Sequence, residues 1–249
     1  MIWDKDYWSV LERFIKMSNR NQIRFETTES DFPAFAATIL KEKLEALQLT
    51  GRRINIALSG GSTPLPVFHL LKDFDLKWEL FSFFMVDERF VSVSSNQCNY
   101  FNINNILFRH IPSKSYAMIK ADESIETAVE KYELLIDQKV PKENGAFPVF
   151  DFILLGMGDD GHIASLFPNT EALEEQSRSV TANFVPSLDS HRITLTYPVI
   201  QNATEAMVLV KGKRKTEILD EIYNSETTYP VQKLVNSNLK LTWIIGKSK

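Results

Sequence analysis

Three polar clusters in the sequence combine residue types that bind anions and move protons. The first is Ser-Gly-Gly-Ser-Thr-Pro at 59–64, in which two glycines let backbone amides approach an anion closely and Pro64 suits the first turn of a helix. The loop lacks the Lys-Ser/Thr ending of a nucleotide-binding P-loop, so we expect the phosphate of a small metabolite there. A tight turn with a Ser or Thr helix cap is the alternative that this loop alone leaves open.

The second cluster is Asp87-Glu88-Arg89, and the third is Gly-Met-Gly-Asp-Asp-Gly-His at 156–162. Histidine is the side chain best suited to take a proton from water near neutral pH, and a nearby carboxylate can orient its ring. We therefore predict that Asp160 and His162 face a polar pocket. For the second cluster, the alternative to a functional role is a solvated ion pair.

The third cluster permits two other interpretations, which its residues disfavour. Its three glycines match the dinucleotide-binding pattern, but two carboxylates would face the pyrophosphate and no strand ending in Asp or Glu follows at the required distance. A metal site at Asp159, Asp160 and His162 lacks a second His or Cys at ligand spacing. We predict no catalytic metal, and no serine hydrolase, because the sequence has no Gly-x-Ser-x-Gly elbow.

Basic residues late in the chain are expected to complete the anion site. Arg192 begins a predicted strand. A basic cluster follows the predicted strand Ala206–Val210 and consists of Lys211, Lys213, Arg214 and Lys215. Arginine offers a phosphate a bidentate fork, and lysine offers a point charge. We expect Arg192 and one member of the cluster to contact the anion, with the rest a solvated helix N-terminus.

The hydrophobic pattern predicts a scaffold that brings these clusters together. Short apolar runs alternate with helical patterns, the order typical of a parallel sheet with crossover helices, and ligands bind beyond the carboxyl ends of such strands. The predicted strands are Ile54–Leu58, Leu80–Val86, Phe150–Leu155, Ile193–Leu195, Ala206–Val210 and Leu241–Ile245. The predicted helices are Phe32–Leu49, Leu65–Leu71, Ser124–Gln138 and Thr216–Tyr223, with a short one over Ile163–Phe167.

Composition bounds the class of protein. A chain of 249 residues that is 44% hydrophobic is long enough for one α/β domain, and we predict a Rossmann-like three-layer α/β/α fold with a mainly parallel sheet. A net charge of −4 without a basic block gives no footprint for nucleic acid or an anionic membrane. No apolar run is long enough to span a bilayer, and the single Cys98 fits a reducing compartment, so we expect a cytoplasmic location.

Residues 1–24 are predicted to form an N-terminal amphipathic helical extension, and residues 25–249 the α/β domain. Trp3, Tyr7, Leu11 and Phe14 recur at helical spacing in the extension. We expect this helix to pack on the body of the protein, with a partner surface as the alternative. The basic residues Lys5, Arg13 and Lys16 are balanced by the acidic residues Asp4, Asp6 and Glu12, which indicates neither a secretory signal nor a transit peptide.

In this order the motifs resemble the 6-phosphogluconolactonase family, which shares a superfamily with glucosamine-6-phosphate deaminase. The resemblance extends from about Phe25 to the C-terminus. Asp-Gly-His at 160–162, followed by Ala-Ser-Leu-Phe-Pro at 164–168, is specific to the lactonase side, because the deaminases continue with Phe-Asn-Glu-Pro and a further acid. The other matching segments are 59–64, 87–89 with Asn99-Tyr100, 192–196, and Gly212 followed by Lys215.

The resemblance implies hydrolysis of 6-phospho-D-glucono-1,5-lactone to 6-phospho-D-gluconate in the oxidative pentose phosphate pathway, without a cofactor. It implies His162 as the general base, Asp160 as its positioning partner, and Arg89 on the oxyanion or a ring hydroxyl. It assigns the 6-phosphate to Gly60, Gly61, Ser62, Thr63, Arg192 and Lys215. The expected partner is the small sugar-phosphate lactone, and the sequence does not identify a protein partner.

Two alternatives remain at this point. An amino-sugar-phosphate deaminase or isomerase would need an acid/base pair acting on the carbon skeleton, and Asp87 could serve, but the downstream glutamate is missing. A non-catalytic sugar-phosphate sensor on the same fold would need a DNA-binding segment, and the sequence offers neither a spare helix-turn-helix nor a basic face.

Overall fold

The computed structural model describes residues 21–142, 145 and 147–248, which form ten strands within these ranges. Buried apolar runs form the central strands, and more polar segments form the edges. The strands are β1 (Gln22–Thr28), β2 (Ile54–Leu58), β3 (Phe81–Met85), β4 (Asp87–Arg89), β5 (Lys114–Tyr116), β6 (Phe152–Gly156), β7 (Val180–Val185), β8 (Ser190–Leu195), β9 (Glu205–Lys211) and β10 (Lys240–Lys247).

The described residues also form seven α-helices and four short 3-10 turns. The helices are α1 (Phe32–Gln48), α2 (Leu65–Leu71), α3 (Asn99–Ile106), α4 (Ile125–Lys139), α5 (Tyr197–Gln201), α6 (Lys213–Asn224) and α7 (Gln232–Val235). The 3-10 turns cover Trp78–Leu80, Phe108–His110, Glu171–Glu174 and Pro186–Leu188.

The main sheet has seven strands in the order β1-β10-β9-β6-β2-β3-β5, and every pairing in it is parallel. From β2 the chain advances to β3 in one direction along the sheet, whereas from β9 it advances to β10 in the other. Right-handed crossovers therefore place α2 and α6 on opposite faces. The direction changes between β2 and β6, and such a switch point is where open α/β sheets form ligand crevices.

Burial of the central strands fixes where their carboxyl ends lie. Every residue of β2 and β3 is buried, and Leu58 and Phe84 are at most 1% exposed. Burying a side chain of this size contributes roughly 1.5–3 kcal/mol. Helix α2 then begins at Leu65, as predicted, so the segment 59–64 turns directly over the end of the buried sheet.

A second, antiparallel sheet lies beside the switch point, in the order β4-β8-β7. The predicted strand Ile193–Leu195 belongs to this sheet and not to the main one, because it pairs with β4 and β7. Asp87-Glu88-Arg89, which follows the predicted strand Leu80–Val86, is itself the short strand β4. Its register sets Arg89 opposite Arg192.

The prediction of a helix over Ile163–Phe167 is wrong. The segment is a turn with isolated bridges from Ile163 to Met157 and to Leu166. Gly161 and Ala164 have φ values of +75° and +51°, and residues in the left-handed region do not continue a right-handed helix. The apolar side chains that suggested a helix are buried individually around the loop.

The predicted N-terminal helix lies outside the described residues, apart from the last residues of its range. Gln22, Ile23 and Arg24 begin β1, which pairs with β10 at the edge of the main sheet. The division into an extension and a domain stays a prediction for residues 1–20. No helix in the described part of the chain is long and apolar enough to cross a membrane.

Candidate active site

The carboxyl ends of β2, β3 and β6 open onto a cleft of about 340 Å³. Eight of the nine predicted site residues line it, and the ninth, Asp160, contacts one of them, His162. The lining residues are Ser59, Gly60, Gly61, Ser62, Thr63, Pro64, Asp87, Arg89, Asn99, Gly156, Met157, Gly158, Asp159, His162, Ala164, Ser165, Phe167, Leu188, Arg192 and Lys215. The residues that the sequence placed in one site are thus close in space.

The loop after β6 is folded tightly around His162. The Gly158 amide donates to the His162 carbonyl at 2.9 Å, and the Gly161 amide donates to the Gly158 carbonyl at 3.1 Å. A Cβ on Gly158 would overlap Cε1 and Nδ1 of His162, so the ring packs directly on this backbone. Gly161 has a φ of +75°, a conformation that glycine adopts without strain. Both glycines are therefore required by the position of the histidine.

Asp160 orients the ring of His162. Its Oδ1 lies 2.5 Å from Nδ1 of His162 and also accepts the His162 backbone amide at 3.1 Å. The Phe167 ring stacks on the opposite side with its centroid 3.8 Å from that of the imidazole. Within the described residues Nε2 has no hydrogen-bond partner. The pair therefore leaves Nε2 available to a water or a ligand in the cleft.

The pKa of Asp160 lies below its ordinary value. Burial alone would raise it, but the hydrogen bond from the His162 ring, the electrostatic interaction with that ring and hydrogen bonds from backbone amides outweigh that effect. The carboxylate is therefore ionised throughout the neutral range. An ionised partner at Nδ1 favours the tautomer that carries its proton there.

Glu88 has a structural role. It is 1% exposed, and its carboxylate accepts the backbone amides of Asn99 at 2.7 Å and Tyr100 at 2.8 Å. These amides belong to the first turn of α3, which has no intrahelical acceptor for them. Burial raises the pKa of Glu88, against the lowering effect of these hydrogen bonds. Its carboxylate is thus occupied in holding α3 beside the cleft.

Asp87 lines the cleft from β4 and is joined to the loop after β6. Its Oδ2 accepts a hydrogen bond of 2.7 Å from the Ser165 hydroxyl, and its carbonyl accepts one of 3.1 Å from Asn99. Asn183 donates to the Ser165 carbonyl at 2.8 Å. This network fixes the second sheet to the segment that follows His162.

Two arginines face the cleft side by side. Arg89 and Arg192 are paired in the antiparallel register of β4 and β8, and Nη1 of Arg89 donates to the Gln97 carbonyl at 2.7 Å. Nε of Arg192 is buried and has no partner in the described structure. Burial lowers the pKa of Arg192, as does the like charge of Arg89, while Asp87 and Glu88 act in the opposite direction. An anion between the two guanidinium groups would relieve their mutual repulsion.

Lys215 is the member of the basic cluster that lines the cleft. Lys213 points into solvent with 84% of its side chain exposed, and it forms an ion pair of 3.9 Å with Glu217 on the same helix. Arg214 instead pairs with Glu221 at 3.1 Å. The first turn of α6 thus directs its basic side chains to different places.

Among the lining residues that sequence reasoning did not assign to the site are Asn99, Ser165, Phe167 and Leu188. The first three fall inside the motifs that carry the family resemblance, so their position there was the available signal. Leu188 comes from the tip of the β7–β8 hairpin and is 51% exposed. Nothing in its local sequence distinguishes it from an ordinary turn residue.

The fold and the cleft define an α/β protein with a ligand site at the switch point of a parallel sheet. A model of the glucosamine-6-phosphate isomerases/6-phosphogluconolactonase family matches residues 27–243. The chain belongs to this family.

The similar proteins are on the 6-phosphogluconolactonase side of this family. A 6-phosphogluconolactonase from Thermotoga maritima is 35% identical over 224 residues, which cover 88% of this chain and 96% of the relative. One from Chlamydia pneumoniae is 34% identical over 198 residues, with 77% and 74% covered. The crystal structure of the Thermotoga maritima 6-phosphogluconolactonase superposes with a TM-score of 0.80 at 31% identity and covers 91% of this chain and 100% of that one.

Proposed function

We propose that this protein is an enzyme that hydrolyses 6-phospho-D-glucono-1,5-lactone to 6-phospho-D-gluconate in the oxidative pentose phosphate pathway. One observation carries the proposal: a histidine held by a carboxylate shares a single cleft with two arginines and a lysine. A lactone with a remote phosphate needs both a base for water and a cationic anchor. The similarity to 6-phosphogluconolactonases supports the same substrate.

In this mechanism Nε2 of His162 takes a proton from a water molecule whose oxygen attacks the lactone carbonyl carbon. The carbonyl oxygen becomes the oxyanion of a tetrahedral intermediate. When the intermediate collapses, the bond between the carbonyl carbon and the ring oxygen breaks, and the imidazolium returns the proton to the leaving ring oxygen. Asp160 stabilises the imidazolium and keeps the ring in one orientation, at 2.5 Å from Nδ1.

Arg89 stabilises the oxyanion or holds a ring hydroxyl in this proposal. It lines the cleft from β4, and its hydrogen bond to the Gln97 carbonyl limits the movement of its side chain. A fixed cation near the place where negative charge develops lowers the barrier more than a mobile one does. The arginine also contributes to the positive potential that attracts the substrate.

The 6-phosphate binds between the loop 60–63 and the cations Arg192 and Lys215. Gly60, Gly61, Ser62 and Thr63 line the cleft at the end of β2, and the two side chains approach from β8 and α6. Arg192 supports this assignment because its side chain lines the cleft, and no hydrogen bond holds its Nε to another described residue. Binding energy from this remote group positions the carbonyl at His162.

We place the enzyme in the cytoplasm. Cys98 is buried and unpaired, which suits a reducing compartment. The net charge of −4 gives no attraction to nucleic acid or anionic membrane surfaces.

A coupled assay with freshly generated 6-phosphogluconolactone tests the proposal, with 6-phosphogluconate formation read above spontaneous hydrolysis. We expect clear acceleration by the purified protein. The kcat/KM for unphosphorylated gluconolactone should be at least about 100-fold lower, because two charge-assisted hydrogen bonds of roughly 1.5 kcal/mol each are lost.

Glucosamine 6-phosphate is the control substrate from the other side of the family. We expect no release of ammonia from it, because Ser165-Leu166-Phe167-Pro168 supplies no further acid in this loop. Ammonia release without lactone hydrolysis would overturn the proposed reaction. Equal kcat/KM for the two lactones would leave the reaction standing but contradict the phosphate site.

A further inference from the structure

The segment Tyr229–Val231 lies against the loop that carries His162. The Val231 amide donates to the Gly161 carbonyl at 3.0 Å. A Cβ built on Gly161 would lie 2.8–2.9 Å from Cβ, Cγ and Cδ1 of Tyr229, so the tyrosine packs directly on the glycine backbone. The residue next to His162 is thus held from one side by a segment almost 70 residues later in the chain.

The other side of Tyr229 is fixed to α6. Nη2 of Arg214 donates to the Tyr229 hydroxyl at 2.8 Å, and that hydroxyl donates to Oε2 of Glu221 at 2.8 Å. Arg214 and Glu221 also pair directly at 3.1 Å. The following residue, Pro230, is anchored from α5, where the Tyr197 hydroxyl donates to its carbonyl at 2.7 Å. The ring therefore has a defined position despite its partial exposure.

Tyr229 thereby connects two parts of the cleft. Arg214, which binds its hydroxyl, is adjacent in sequence to Lys215, which lines the phosphate side. Gly161, which its ring contacts, is adjacent to His162. A loop that contains Gly156, Gly158 and Gly161 has more conformational freedom than most, so an external contact is needed to hold it in one state.

We propose that Tyr229 is a positioning residue, whose ring holds the Gly161 backbone and thereby keeps His162 aligned with the lactone carbonyl. The proposal rests on the general-base function of His162 proposed above. Displacing a catalytic group by about 1 Å can cost about 100-fold in rate, so even a partial loss of this support is measurable.

The test compares Tyr229→Ala, Tyr229→Phe and the control Tyr223→Phe. Tyr229→Ala should lower kcat about tenfold with KM within about twofold of wild type, because the base is misplaced while the phosphate site remains. Tyr229→Phe keeps the ring on Gly161 and should retain at least about a third of kcat. Tyr223→Phe removes a hydroxyl on α6 that donates to Gln22 away from the cleft, and it should leave both constants unchanged.

A second readout does not depend on activity. The Cε1–H signal of His162 in a ¹H–¹³C NMR spectrum should shift or broaden in Tyr229→Ala and stay in place in Tyr229→Phe and Tyr223→Phe. If Tyr229→Ala does not fold, Tyr229→Leu replaces it, with the same expected loss of kcat and the same change in the His162 signal. Thermal unfolding of each variant gives the folded fraction by which kcat is normalised.

Three results would overturn the proposal: a normalised kcat of Tyr229→Ala within about twofold of wild type, a raised KM at unchanged kcat, or an unmoved His162 signal. Failure of the lactonase function itself is distinguishable, because the wild-type protein would then be inactive in the same assay. A His162 signal that still moves in that inactive protein would confirm the contact while refuting the reaction.

Discussion

Nδ1 of His162 and Oδ1 of Asp160 lie 2.5 Å apart, across the single residue Gly161. The same oxygen accepts the backbone amide of His162 at 3.1 Å, so one carboxylate fixes both the ring and its backbone. Phe167 covers a face of the ring. The imidazole is therefore held at Nδ1 and on one face, whereas Nε2, the atom to which the proposed reaction assigns proton transfer, has no hydrogen-bond partner among the described residues.

Asp160→Asn should lower kcat by at most about 100-fold and less than His162→Ala does, because the base remains but its orientation and tautomer are no longer fixed. KM should change little, since the substitution does not touch the phosphate side. Steady-state kinetics of the two variants in one assay decide the order. An Asp160→Asn loss larger than that of His162→Ala would give the carboxylate a more direct function.

The lowered pKa of Asp160 also predicts a pH-dependent contribution to stability. A carboxyl group whose pKa is depressed in the folded state stabilises the protein fully at pH values above its pKa in the unfolded chain, which is about 3.9. This contribution is lost as the pH falls through the pKa of the folded state. Wild type should therefore exceed Asp160→Asn in stability at pH 5, and the difference should shrink toward pH 2. Denaturant unfolding along this series measures it. A difference that grows on acidification would contradict the assigned hydrogen bond.

Gly158→Ala should lower kcat by about 100-fold, because the added methyl group would overlap Cε1 and Nδ1 of His162 and displace the ring. Gly156→Ala is the matched control in the same loop, since a Cβ there meets no atom within 4 Å. The comparison needs kcat and a thermal unfolding curve for each variant. Equal activity of the two would mean that the ring position is unimportant.

Arg192→Ala and Lys215→Ala should each raise KM about tenfold or more, with a smaller effect on kcat. A phosphate bound in both the ground state and the transition state affects KM first. Lys213→Ala provides the control, because that lysine is on the same helix turn with 84% of its side chain exposed. Titration with 6-phosphogluconate should show the same ranking. An unchanged KM in both variants would remove these residues from the phosphate site.

The sequence predicted the central strands well because their pattern is local. β2 and α2 have the bounds expected from an apolar run, a glycine turn and a proline. The edge strand β1 escaped prediction although its first residues alternate in polarity as a half-buried strand does, because the predicted helical extension covers residues 22–24. The helix predicted over 163–167 was wrong because the buried apolar residues of this segment belong to a turn with Ala164 in the left-handed region.

Within the site, residue types were predictable but long-range pairings were not. The loop chemistry of 59–64 and 156–162 can be recognised from glycines, hydroxyls and a histidine in order. The register that sets Arg89 beside Arg192 joins strands about a hundred residues apart, and nothing in either segment encodes it. The same holds for the contact between Tyr229 and Gly161, because packing of separate loops depends on the whole fold.

The most direct test of the account is the kcat of His162→Ala. Loss of a positioned general base costs about 10²- to 10⁴-fold, so kcat should fall within this span while KM and the affinity for 6-phosphogluconate stay near wild type. Spontaneous hydrolysis of the lactone must be subtracted, and circular dichroism must show an intact fold. A folded His162→Ala variant that retains more than about a tenth of wild-type kcat would contradict the general-base assignment. Asp87, a carboxylate that lines the cleft and is bound by Ser165, would then become the group to test.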